Sequence, residues 1–185
     1  MILFLHGAGE RGDAIELVET HGIPRRLATG ASLPFIVVSP HCPAGERWDA
    51  TSLGALLDEV ERKFSIDSDR VYVTGMSMGG TGAWGLALAQ PRRFAAIAPV
   101  CGRGDPSSAC TIAHLPAWVF HGACDDVVPL QRSEEMVEAL RECGGAVRFT
   151  VYPEAGHDSW TQTYENPDLY TWLLSNWKSA TGGQA

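Results

Sequence analysis

Short apolar runs alternate with stretches of helical periodicity along the chain. Residues 1–5 (MILFL), 34–39 (PFIVVS), 70–74 (RVYVT), 94–99 (FAAIAP), 116–120 (PAWVF) and 147–152 (VRFTVY) are largely apolar or β-branched. Such runs suit parallel strands covered on both faces. Between them, Leu53, Leu56, Leu57, Val60 and Phe64 recur at helical spacing, while Asp58, Glu59, Glu61, Arg62 and Lys63 take the other side. That pattern predicts an amphipathic helix over 51–64. A second helix is expected over 130–142, opened after Pro129 and stopped by Gly144-Gly145. Leu169, Trp172, Leu173 and Trp177 predict a closing helix over 166–178, and residues 181–185 (TGGQA) are expected to fray. Strand alternating with helix means an α/β fold: a mostly parallel sheet of about six strands with helices on both faces. The chain's 185 residues suffice for one sizeable core and not for two, so 1–180 is expected to be a single domain.

In sheets of this kind, reactive groups sit on the loops beyond the carboxyl ends of the strands. After 70–74 comes Gly75-Met76-Ser77-Met78-Gly79-Gly80, followed by a helical pattern through Gln90. This is G-x-S-x-G between strand and helix, where a serine nucleophile sits on a sharp turn and side chains at the flanking glycines would clash. After 116–120 comes His121-Gly122-Ala123-Cys124-Asp125-Asp126-Val127-Val128-Pro129. Either aspartate is placed to orient a catalytic imidazole, or to shape the turn before Pro129. After 147–152, His157 follows Gly156 in a loop and is the candidate base. His6 and His121, each at a strand end before glycine, are expected to shape loops; His21, His41 and His114 are expected to be solvated or capping. The order serine, aspartate, histidine is that of the G-x-S-x-G fold and differs from both common protease orders. After the first strand, His6-Gly7-Ala8-Gly9-Glu10-Arg11-Gly12 offers backbone N–H groups for an oxyanion: Ala8 first and Gly9 as an alternative, with Met78 as the second donor.

Composition narrows the partners. A net charge of −8 argues against nucleic acid, whose binders cluster Lys and Arg. No apolar segment approaches the ~18 residues that cross a bilayer, so no membrane partner is expected. The opening MILFLHG is too short for a secretion signal and carries no basic leader or cleavage site; compartment and oligomeric state have no signature in the sequence. The five cysteines show no metal-binding spacing. Cys101 and Cys110 bracket a Gly/Pro/Ser-rich loop that a local disulfide would close, the alternative being two free thiols.

The set LHGAGERG, VTGMSMGGTGAW, FHGACDDVVP and YPEAGHDSW resembles the compact α/β-hydrolase carboxylesterases. That group takes in dienelactone hydrolase, phospholipase/carboxylesterase, polyhydroxybutyrate-depolymerase-like and feruloyl-type esterases. The resemblance spans nearly the whole chain. It implies a serine esterase with Ser77 as nucleophile, His157 as base and, four residues after the histidine of FHGACD, Asp125 as its orienting carboxylate. It places the first oxyanion donor at Ala8, directly after the HG pair. It also implies missing N-terminal strands, as in a trimmed sheet or a domain cut from a longer polypeptide. The chemistry needs no metal or cofactor. The expected partner is a small-molecule or polymer-linked ester. A thioesterase or prolyl-peptidase-like hydrolase would use the same residues, and a binding module on this scaffold would lack some of them. Only residues 100–115 separate the fourth and fifth expected strands, too few for a helical lid, which favours an open cleft and short acyl groups. Trp48 and Trp160, in loops, are candidates for substrate contact, and Trp84 is expected in the core.

Overall fold

Alternation within each strand decides where its side chains go. In the computed structural model, which describes residues 1–178, strands β1 (Ile2–Leu5), β2 (Val37–Val38), β3 (Tyr72–Met76), β4 (Ala96–Val100), β5 (Ala117–Gly122) and β6 (Val147–Tyr152) form one all-parallel sheet. Its order is β2-β1-β3-β4-β5-β6. Leu3, Leu5, Val73, Ile97 and Val119 pack on one face against α2 (Ala50–Lys63), α3 (Met78–Ala89) and α4 (Gln131–Glu142). Their sequence neighbours Ile2, Phe4, Tyr72, Ala96, Ala98, Trp118 and Phe120 pack on the other face. There they meet α1 (Gly22–Ala28), α5 (Trp160–Glu165) and α6 (Pro167–Ser175). Each fully buried Leu, Ile or Phe contributes about 1.5–3 kcal/mol of transfer free energy, so both faces are driven shut by the same runs.

The amphipathic helix follows its periodicity. Leu53, Leu57 and Val60 are buried, and Asp49 starts α2 by accepting the Ser52 N–H at 2.8 Å. The six-strand parallel architecture agrees with the expectation, but several boundaries move. β2 shrinks to two residues because Pro34 and Pro40 flank it and prolines donate nothing to a ladder. β3 and β5 run on into their motifs, to Met76 and Gly122. Helices α1 and α5, of seven and six residues, are too short to announce themselves by periodicity. α6 stops at Ser175, so Trp177 is 58% exposed beneath the Arg70 guanidinium rather than on the helix. Residues 181–185 lie outside the described part.

Neither alternative for Cys101 and Cys110, a local disulfide or two free thiols, is found. Cys110 is bonded to Cys143, with Cα atoms 5.2 Å apart. Cys110 lies in a 3-10 run (Pro106–Ile112) that packs on α4, whose C-cap is Cys143. Cys101 directly follows β4 and is wholly buried as a free thiol. As expected from its length, the segment between β4 and β5 carries this 3-10 run and no α-helix.

Candidate active site

The turn from β3 into α3 is closed by steric necessity. A Cβ at Gly79 would lie 1.9 Å from the Leu5 carbonyl oxygen, and one at Gly75 would lie 2.5 Å from the Gly79 backbone. These contacts press the helix onto β1 and β3 and force Ser77 to φ 55°, ψ −114°. Ser77 and Cys101 are the non-glycine residues with positive φ among those described. A serine held in this sparsely populated region marks a site where conformation serves chemistry.

His157, on the loop after β6, brings its Nε2 to 2.9 Å from Ser77 Oγ and its Nδ1 to 2.7 Å from Asp125 Oδ2. Asp125 has no exposed side-chain surface, whereas Asp126 is exposed. Asp125 Oδ1 accepts the backbone N–H groups of Val127 and Val128 at 2.9 and 2.8 Å. Burial pushes the Asp125 carboxyl up, but the bonds from His157, Val128 and Val127 outweigh it and hold the group below the usual aspartate range. His121 completes the cradle. Its Nε2–H faces both the Val128 carbonyl at 2.8 Å and Asp125 Oδ2 at 3.2 Å, while its Nδ1 accepts from Ser133.

Ala8–Glu10 form a single 3-10 turn beyond β1. Ala8 and Met78 each begin a helical segment, where the first N–H groups have no helical acceptor. Buried polar groups fix the turn. His6 Nε2 accepts the Cys42 N–H at 3.0 Å, so its proton sits on Nδ1 and is donated to the Gly7 carbonyl at 2.7 Å. Burial pushes the His6 pKa down, despite the Gly7 carbonyl and Glu10, and the ring is neutral. Arg11 Nε binds the Ala8 carbonyl at 3.0 Å, and His41 Nε2 binds the Glu10 carbonyl at 2.9 Å.

Trp48 is half-buried. Its Nε1–H is bonded to the His6 carbonyl at 3.0 Å and its ring lies edge-on to His6, so it braces the turn after β1. It also lines a cavity of about 250 Å³ beside Met78, with Arg47 and Thr81. Trp84 is fully buried in the core. Trp160 stands edge-on to His157, with ring centroids 5.2 Å apart. Gly9 is exposed at the middle of the turn. The sequence placed Glu10 and Arg11 only within the loop and led to His21 and His41 being expected as solvated or capping, whereas His41 bonds the Glu10 carbonyl and His21 faces the buried Glu10 carboxylate. Their only signal was proximity in sequence to the HG pair or a proline, and their partners lie across the fold. A cavity of about 920 Å³, lined by Asp69, Phe94, His114 and Trp177, shares none of these residues.

A parallel sheet with a serine on the turn after β3, an aspartate after β5 and a histidine after β6, bonded in series, has the arrangement of an α/β hydrolase. Residues 44–168 match the phospholipase/carboxylesterase family, and the chain belongs to it. A bifunctional acetylxylan esterase/xylanase of Neocallimastix patriciarum is 28% identical over 75% of this chain. A carboxylesterase of Arabidopsis thaliana is 24% identical over 84% of this chain and 82% of its own length. The crystal structure of a thermostable esterase superimposes with a TM-score of 0.84 at 33% identity, covering 96% of this chain. The chain spans 21% of the acetylxylan esterase/xylanase and 54% of the thermostable esterase.

Proposed function

We propose that the chain is a serine carboxylesterase acting on short-acyl esters. The carrying observation is the unbroken relay from Ser77 Oγ through His157 to buried Asp125, at 2.9 and 2.7 Å. In this reading, Ser77 Oγ attacks the ester carbonyl as neutral His157 Nε2 takes its proton. The Ala8 and Met78 N–H groups hold the oxyanion, and His157 then protonates the departing alcohol. Water repeats the cycle on the acyl-enzyme. Asp125 fixes the imidazole tautomer with the proton on Nδ1 and stabilises the imidazolium.

The short segment between β4 and β5 and the partial exposure of Ser77 and His157 support an open cleft with little apolar wall for a long chain. Relatives named as acetylxylan and feruloyl esterases support a small-molecule or polymer-linked ester as substrate. The test is hydrolysis of p-nitrophenyl esters from acetate to palmitate by the parent and Ser77→Ala. Rates should fall with chain length, and the substitution should lower kcat by ~10³-fold or more. Equal activity in Ser77→Ala would remove the nucleophile assignment, and a preference for palmitate would remove the short-acyl one.

A further inference from the structure

The turn after β4 is bonded to the Ser77 turn and shares its unusual backbone. Cys101, the first residue beyond β4, has φ 40°. A glycine takes that conformation freely, whereas a side chain holds it against strain. The turn has no slack to relieve it. Ser77 N–H donates to the Val100 carbonyl at 2.9 Å, and Cys101 N–H donates to the Phe120 carbonyl at 2.8 Å. A Cβ at Gly102 would lie 2.4 Å from the Gly80 carbonyl carbon, so the segment is pressed onto the first turn of α3. Glycine thus stands where the backbone demands room, and a side chain is kept next to it where strain argues for glycine.

The group kept there is a thiol with no exposed surface. Cys101 Sγ, a ring nitrogen of His157 and a carboxylate oxygen of Asp125 all lie within 4.8 Å of one another. Burial pushes the thiol up to about 12, against the pull of the Ser77 N–H and the Ser159 hydroxyl, so it stays protonated and neutral. A void in its place would adjoin a buried carboxylate and an imidazole, a setting polar enough to hold water. Water there would offer Asp125 a rival to the His157 Nδ1–H. It would also weaken the attraction between the carboxylate and the imidazolium that forms during attack. A thiol is only a weak donor and acceptor, so it fills the space without competing.

We propose that Cys101 is a positioning residue, whose neutral side chain backs the His157–Asp125 pair and keeps water from it. This role rests on the serine-esterase reading above and gives the strain kept at φ 40° a task.

The test measures p-nitrophenyl acetate hydrolysis by Cys101→Gly and Cys101→Ser, each in the parent and in Asp125→Asn. Glycine suits the turn and removes the side chain, while serine returns a small neutral one. Cys101→Gly should lower kcat by about tenfold, the worth of roughly one neutral hydrogen bond, with KM within about twofold. Cys101→Ser should recover most of that loss. In Asp125→Asn, where the pair is already broken, the Cys101→Gly factor should shrink below about threefold. A purely structural role would act through the folded fraction, by the same factor in both backgrounds. Melting temperatures check folding, and Cys101→Ala replaces Cys101→Gly, with the same expectations, should the glycine variant be unfolded at the assay temperature. Parental kcat in Cys101→Gly, an equal factor in both backgrounds, or Cys101→Ser no better than Cys101→Gly would each overturn the positioning role alone. A parent inactive on p-nitrophenyl acetate would overturn the esterase reading itself, and with it the task given to Cys101.

Discussion

Ser77, Asp125 and His157 each stand within a few residues of a strand end and offer a side chain. Ala8, three residues beyond β1, offers only its backbone N–H. The side-chain half of the site is placed by the sheet itself, and its groups then bond to one another at 2.7–2.9 Å. The backbone half has no side chain to aim. It is aimed indirectly by His6, Arg11 and His41, which bond to carbonyls or N–H groups as far away as Cys42. On the proposed reading, an oxyanion hole depends on a wider set of residues than a triad does, and each of them has a bland role when viewed alone.

Perturbing the two halves should separate them. The largest effect belongs to Asp125→Asn, which frees the imidazole to take the wrong tautomer; kcat should fall by roughly 10³–10⁴-fold. The same substitution has a pH signature. The native Asp125 carboxyl lies below its ordinary value, so its bonds stabilise the fold fully above about pH 4. That contribution is lost as pH falls through the lower native value. The gap in melting temperature between parent and Asp125→Asn should therefore be constant near neutrality and close in acid. A gap that widens in acid would reverse the assignment. An intermediate effect is expected for His6→Ala, which orphans the Cys42 N–H and loosens the Gly7 carbonyl. Stability should drop by about 1–3 kcal/mol and kcat by a smaller factor than for Asp125→Asn, with the serine still reactive toward a fluorophosphonate probe. Loss of probe labelling would show that the two halves are not separable. The smallest effect concerns the thiols. Burial pushes Cys101 up to about 12 and raises Cys42, whereas Cys124 is exposed. Iodoacetamide on the native protein should add one label, at Cys124, by peptide mass spectrometry. A label on Cys101 would mean that the floor of the site opens.

The loops that carry Ser77, Asp125 and His157 were legible because they follow strand ends and the strands announce themselves by apolar runs. Asp125 was separable from Asp126 only through resemblance. The structure supplies the physical reason, the burial of one and exposure of the other. Glu10, His21 and His41 were illegible because their partners are set by how loops cross above β1, which no local pattern encodes. The Cys110–Cys143 bond was hidden for a related reason. Cys101 and Cys110 are close in sequence, but Cys101 is drawn under the site at φ 40°, while Cys110 is carried onto α4.

The bond between Cys110 and Cys143 turns residues 110–143 into a covalent ring, and Asp125 lies on that ring. β5 threads it into the sheet, and Cys124, Asp126 and Val127 are exposed on the arc that follows. A protease that cut this arc would not part the chain. The two ends would stay tethered through sulfur, with the carboxylate close to its histidine until a reductant released them.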